Sequence, residues 1–175
     1  VQAVEDAPAA RGWDLAALAT APSSVHHGAL ISEPAVFDNA YFGVSSSEAS
    51  AMDPQQRLVL EHGYEALHDA GRTKATLHGS RIGVELGVYA LDFKEMLVAT
   101  PAGEGVYAAT GATLSIASGR LSYVLGLHGQ CVSIDTACSA ALVATHYALC
   151  EIILKRANVD EAHSAHLAAG VNIML

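Results

Sequence analysis

Three cysteines and nine histidines carry most of the chemistry this 175-residue sequence could perform. One thiol stands apart by its setting. Cys138 lies in "VSIDTACSAAL", Val132 to Leu142, where a short β-branched run ends in Asp135-Thr136 and a long apolar segment follows. A helix beginning near Ala137 puts Cys138 in its first turn, where free N–H groups and a partial positive charge favour a thiolate. The same N–H groups could stabilise an oxyanion at a bound carbonyl, which suits covalent acyl chemistry at the thiol. The alternative is a small buried hydrophobe, the commoner fate of free cysteine. Cys131 lies in an apolar strand and Cys150 deep along an apolar helix, and both read as structural.

A cysteine nucleophile usually works with a histidine, but the sequence assigns none to Cys138. His146 follows it by two helical turns, ~12 Å along the axis. His128 sits in the turn "GLHGQC" and reaches the thiol only by folding back. His146 with Cys150, and His163 with His166, have helical ligand spacing, but two ligands do not make a zinc site. His26 and His27 fall in the loop "APSSVHHGAL". All nine read as structural or surface residues. Around Thr110 and Gly111 there is neither a P-loop lysine nor G-x-G-x-x-G, so nucleotide binding has no support.

The elements that must position Cys138 are well punctuated. Asp53 N-caps a helix with Pro54 in its first position, Gln56 where a capping box wants Glu or Gln, and Gly71 as its stop. Val59, Gly63, Ala66 and Ala70 share one face of it, with Leu60, Tyr64 and Leu67 beside them. "RIGVELGVYA", Arg81 to Ala90, reads as a strand and "DFKEMLVAT" as a short helix. A helix from about Thr113 to Leu125 ends at Gly126. "CVSI", Cys131 to Ile134, reads as a short buried strand. Ser139 to Leu154 carries no formal charge before Glu151, so as a helix it belongs inside a domain. "LAAGVNIML", Leu167 to Leu175, closes the chain as an apolar strand. Alternating strands and helices predict an α/β layered fold.

Composition fits one compact domain: 51% apolar residues, 15% charged, and 15 glycines. An odd cysteine count without C-x-x-C argues against a disulfide framework and for a reducing, cytoplasmic setting. A net charge of −9 disfavours nucleic acid and anionic membranes as partners. No apolar run reaches the ~20 residues of a bilayer span, and no signal peptide is evident. The start at Val1 and the apolar end mark the chain as an excerpt.

"DTACSAAL", Asp135 to Leu142, resembles the active-site signature of β-ketoacyl synthases, the ketosynthase domains of modular polyketide and fatty acid synthases. "AMDPQQRLVLEHGYEALHDAG", Ala51 to Gly71, resembles a second signature, of the polyketide type. "YAATGATLSIASGRLSYVLGLHGQCVSIDTACS" and "AAGVNIML" continue the likeness, with a fainter match at "RGWDLAAL". The chain is thus similar to a partial β-ketoacyl synthase N-terminal domain over residues 1–175. It lacks the family's first strand and helix and its whole C-terminal half.

The resemblance implies the thiolase-like fold, two α/β halves in five layers, as a homodimer. It implies that Cys138 accepts an acyl chain from a phosphopantetheine thioester. A malonyl-type extender on an acyl carrier protein is then decarboxylated, and its carbanion attacks the acyl-enzyme in a Claisen condensation. No cofactor is implied for this segment itself, only phosphopantetheine-tethered substrates. The two enolate-stabilising histidines of the family lie in H-G-T-G-T and N-x-G-H motifs, and neither motif occurs here. The partners implied are the carrier protein, a second copy of the domain, and the domain's own C-terminal half.

Departures from the family pattern are Gly129-Gln130-Cys131 for G-P-C, Cys138-Ser139-Ala140-Ala141 for C-S-S-S, and a missing Pro-Arg in "GVSSSEASAMDPQQR". None removes a catalytic atom. Thr110 resembles a residue near the dimer interface and acyl channel, or is a simple turn residue. Asp135 and Thr136 read as fixing the junction. An acidic carrier needs a basic patch on this acidic chain, for which Arg57, Arg72, Lys74, Arg81 and Arg120 are the candidates. The rival reading is a catalytically incomplete half-domain with a structural or dimerising role. Thiolases and chalcone-synthase-like enzymes share the fold, but "MDPQQR" favours the polyketide type.

Overall fold

A computed structural model describes residues 2–4, 28–30, 36–89, 92–157 and 166–171, with side chains described for 36–89 and 92–154. The chain divides into two compact units, Val1–Val36 and Phe37–Leu175. In the first, strands β1 (Gln2–Val4) and β2 (Gly28–Leu30) pair antiparallel, with Gln2 opposite Leu30 and Val4 opposite Gly28. The end of "APSSVHHGAL", read as loop, is therefore strand. The other early residues lie outside those described.

The second unit opens with α1 (Ser46–Ala51), whose N-cap Ser45 Oγ accepts from the Glu48 N–H, and continues into α2 (Pro54–Asp69). Asp53 caps α2 as expected, accepting the Gln55 N–H at 2.8 Å. Gln56 makes no capping box. Its side chain instead leaves the helix for Thr110, Thr113 and Arg120. Gly71, at φ 77°, ends the helix as expected, and the Arg72 N–H returns to the Leu67 carbonyl. The buried face runs through Gln56, Leu60, Gly63 and Leu67, while Ala66 and Ala70 are exposed. Val59 and Gly63, with Leu60 and Leu67 beside them, are thus buried as read off the sequence, and the polar Gln56 joins them through its partners.

After α3 (Lys74–Leu77) come strand β3 (Gly83–Val88), α4 (Asp92–Val98), a 3-10 turn at Pro101–Glu104, α5 (Ala108–Gly111) and α6 (Leu114–Leu125). Gly126 caps α6 in the left-handed conformation, as the sequence indicated. Strand β4 (Cys131–Ile134), a 3-10 turn at Ala137–Ser139, α7 (Ala140–Ala157) and β5 (His166–Val171) complete the described elements.

Strands β4, β3 and β5 form a parallel sheet in that order, with Val84 opposite Cys131 and Leu167. β3 lies in the centre and all six of its residues are buried. The connection from β3 to β4 steps one way across the sheet, and that from β4 to β5 steps back over it. Right-handed crossovers then place α6 and α7 on opposite faces. Val84, Leu86 and Val88 accordingly join the core with Leu60 of α2 and Leu121 of α6. Gly87, on the alternate face, meets the start of α7. Among the described residues β4 is an edge strand, with Cys131 exposed and the rest half-covered, not the buried strand expected.

The segment read as buried all round behaves otherwise. Ala140, Ala144 and Ala148 of α7 are buried, while Leu142 is 74% exposed and Leu154 61%. Alanines four residues apart form a narrow strip that lets the helix lie close to the sheet, and the larger apolar side chains point away from it. Over Ala137–Leu154 the mean hydropathy is 1.6, long and apolar enough to cross a membrane by length and composition. The sequence reading, which looked for a run of ~20 residues, passed over it.

Candidate active site

Adjacent strands β3 and β4 send their C-terminal connections to opposite faces of the sheet. Open α/β sheets bind ligands at such a switch point, outside the carboxyl ends of the strands. Cys138 stands there, four residues beyond the end of β4.

The turn that presents it is built by short polar side chains. Asp135 Oδ1 accepts the Ala137 N–H at 3.0 Å. Ser139 Oγ lies 2.8 Å from the Thr136 carbonyl oxygen, to which it donates, and 2.9 Å from Thr136 Oγ1. Between these two locks Ala137 takes φ 52°, the left-handed region, alone in this among the described non-glycine residues. Cys138 sits in a single 3-10 turn that runs straight into α7, so the helix starts slightly later than the sequence suggested. Its thiol-bearing residue is exposed, not a buried hydrophobe.

Two contacts fix this elbow to the scaffold. A Cβ on Gly87 would lie 2.4 Å from the Ala140 carbonyl carbon and 2.5 Å from the Ala141 nitrogen, so only glycine lets α7 start this close to β3. On the other face the Ser118 and Ser133 hydroxyls meet at 2.9 Å, tying α6 to β4 just before the turn.

His146 falls as the spacing implied, while His26, His27 and His163 lie outside the described residues. His146 Nε2 lies 3.5 Å from Cys150 Sγ, one turn along α7, and does not pair with Cys138. Among the described residues no group of three His, Cys, Asp or Glu side chains is placed to hold a metal.

Thr110 is exposed, and its hydroxyl donates to the Tyr107 carbonyl at 3.1 Å. Its own carbonyl is gripped from inside by Gln56 Nε2 at 3.2 Å and Arg120 Nη2 at 3.5 Å. Arg120, buried, also bonds Gln56 Oε1 at 2.7 Å and Glu48 Oε1 at 2.5 Å. Asp53 N–H donates to the Gly111 carbonyl, and a Cβ on Gly111 would strike the Ala51 carbonyl. The segment Tyr107–Thr113 is thus clamped against the α1–α2 junction. Sequence reasoning missed the clamp, since Arg120 and Gln56 stand 64 residues apart.

The five candidate cations do not form one patch. Arg57 is partly buried with Nε on the Met52 carbonyl, and burial pulls its guanidinium below its ordinary value, against the pull of Asp53 and Glu61. Arg120 is interior. Lys74 stacks 3.5 Å over the Tyr41 ring. Arg81 lies two residues before β3, whereas Cys138 follows the C-terminal end of the parallel strand β4. A cavity of about 330 Å³ between Val44, Glu48, His78, Arg120 and Tyr123 does not include Cys138 in its lining.

This strand–elbow–helix unit on a parallel sheet agrees with the comparisons. The family model for the β-ketoacyl synthase N-terminal domain matches residues 1–175, and the chain belongs to that family. It is 45% identical to the polyketide synthase GfsE of Streptomyces halstedii over 97% of its own length and 4% of that protein. It is 43% identical to the pikromycin polyketide synthase component PikAII of Streptomyces venezuelae, over 98% of this chain and 5% of that one. Its backbone is similar to the ketosynthase from module 6 of the bacillaene synthase from Bacillus subtilis 168, with a TM-score of 0.74 and 32% identity. That match covers 97% of this chain and 26% of that one. The fold is therefore thiolase-like, as the resemblance implied, and the chain spans a small part of the relatives it matches.

Proposed function

We propose that residues 1–175 form one partial ketosynthase domain of a polyketide synthase, with Cys138 as the acyl-accepting nucleophile. The observation that carries this is the exposed thiol on a locked left-handed elbow at the sheet's switch point. The thiolate adds to a phosphopantetheine thioester carbonyl. The oxyanion is held by N–H groups at the helix start, the Cys138 N–H among them, and collapse expels the pantetheine thiol and leaves the acyl group on sulfur. In the whole synthase a malonyl-type unit on the acyl carrier protein then loses carbon dioxide. The resulting carbanion attacks the acyl-cysteine, giving a β-ketoacyl chain longer by two carbons and restoring the thiol.

Carrier-protein docking, homodimer formation and a cytoplasmic setting belong to the same reading. Carrier docking through all five candidate cations as one patch receives no support, because Arg120 is buried and Arg57 partly so. The second reading, a catalytically incomplete structural half-domain, is favoured by one observation. No histidine pairs with Cys138 among the described residues.

Single-turnover release of pantetheine thiol from a short acyl-pantetheine thioester separates the two readings. One equivalent per chain from the synthase, lost in Cys138→Ala, is expected of the nucleophile. Equal release from the variant would leave only the structural role.

A further inference from the structure

We infer that Asp135 is a positioning residue, and that it acts through its carboxylate oxygen as an acceptor rather than through its charge. This rests on the reading of Cys138 as nucleophile. Alanine meets steric resistance at positive φ that glycine does not, yet Ala137 holds φ 52° directly before the thiol. What faces its amide is Asp135 Oδ1, at 3.0 Å. That bond closes a loop from residue 135 to 137 and turns the chain sharply between β4 and α7. The Thr136–Ser139 bonds close the next stretch, from 136 to 139, and both ends of Ser139's contact belong to the turn itself. The Gly87 approach fixes Ala140 from below. Of these restraints the Asp135 bond is the one made to the Ala137 amide, while the 136–139 bonds enclose the residue and its carbonyl accepts the Ala140 N–H. The direction of Cys138 Sγ follows from the Ala137 backbone.

Asparagine keeps an Oδ1 acceptor and removes the charge, whereas alanine removes both. Glycine at 137 removes the need for the restraint. These differences give a test that separates placement of the thiol from general stability and from ionisation. In the complete synthase, the acylation rate of Cys138 by a short acyl-pantetheine thioester is read on its high-pH plateau, where the thiol is ionised in every variant. Melting temperatures are read alongside.

Asp135→Ala should slow acylation about 10-fold, the loss expected for one hydrogen bond left unmade at the turn. Asp135→Asn should stay within about threefold of the parent, and Asp135→Ala with Ala137→Gly should return to within about threefold of Ala137→Gly alone. A loss in Asp135→Asn equal to that in Asp135→Ala would overturn the inference in favour of charge. Failure of glycine to restore the rate would overturn it in favour of a structural role. Asp135→Asn decides the point even if Asp135→Ala does not fold. Failure of the nucleophile reading itself shows separately, as acylation that survives Cys138→Ala.

Discussion

Ala137 bears the conformational cost of the elbow. Left-handed backbone costs an L-residue about 1–2 kcal/mol, and a β-branched side chain suffers most. Ala137→Val should therefore destabilise the protein by about 1–2 kcal/mol and lower the acylation rate, while Ala137→Gly should leave the rate near the parent's. Denaturant titration and single-turnover kinetics check both halves. The place of Cys138 at a strand–helix junction was legible in the sequence, because a β-branched run ends and an uncharged segment begins beside it. The left-handed residue before it was not. Glycine or asparagine announces positive φ, and alanine does not. Asp135 and Thr136 were legible as fixing the junction because short polar side chains habitually bond backbone two or three residues on. That Gln56 would abandon its own helix end for Arg120 and Thr110 could not be read from local spacing, since the partners come from distant elements.

Helix α2 and the α7–β3 contact carry the scaffold's energetics. Asp53 caps α2 from a largely buried position. Burial raises its carboxyl above the ordinary value of 3.8, opposed by the bonds from Gln55 and the charge of Arg57, with Asp92 adding to the rise. As pH climbs from about 3.8, the unfolded chain loses this proton first, so stability falls until the raised folded value is passed. Asp53→Asn keeps an acceptor for the Gln55 N–H and should remove this decline. Asp53→Ala should cost about 1 kcal/mol across the range. Denaturation midpoints from pH 3 to 7 distinguish them.

At the other contact, Gly87→Ala should destabilise by about 1–3 kcal/mol, because its Cβ meets backbone that cannot rotate away. It should also slow Cys138 acylation, since α7 begins two residues after the thiol. The glycine's role was hidden in "RIGVELGVYA", where period and propensity gave the strand but not which residue a helix would approach. Helix ends were the most readable features. Asp53-Pro54, Gly71 and Gly126 each stop or start the chain through their own backbone chemistry.

Residues 37–171 join a sheet covered on both faces to a helix whose outer side is uncovered among the described residues. Leu142, Leu149, Ile153 and Leu154 of α7 are 53–74% exposed. Contiguous exposed apolar surface promotes association. The 175-residue chain expressed alone should self-associate at micromolar concentration, and Leu142→Lys with Ile153→Lys should return it to monomer without loss of helix, as read by sedimentation and circular dichroism. An uncharged segment announces burial but not by what, so the sequence placed α7 in an interior without showing which strip meets the sheet.

The reading of this chain as a ketosynthase segment stands on the family match, the thiolase-like backbone and the elbow together. Its chemical content is a thioester on Cys138. The decisive test is peptide-resolved mass spectrometry of the complete synthase after brief exposure to a short acyl-pantetheine thioester. The acyl mass should appear on the peptide containing Cys138, vanish in Cys138→Ala and leave Cys131 and Cys150 unmodified. Acyl mass on Cys131 or Cys150, or on no cysteine while thiol is released, would contradict the assignment of Cys138 as nucleophile.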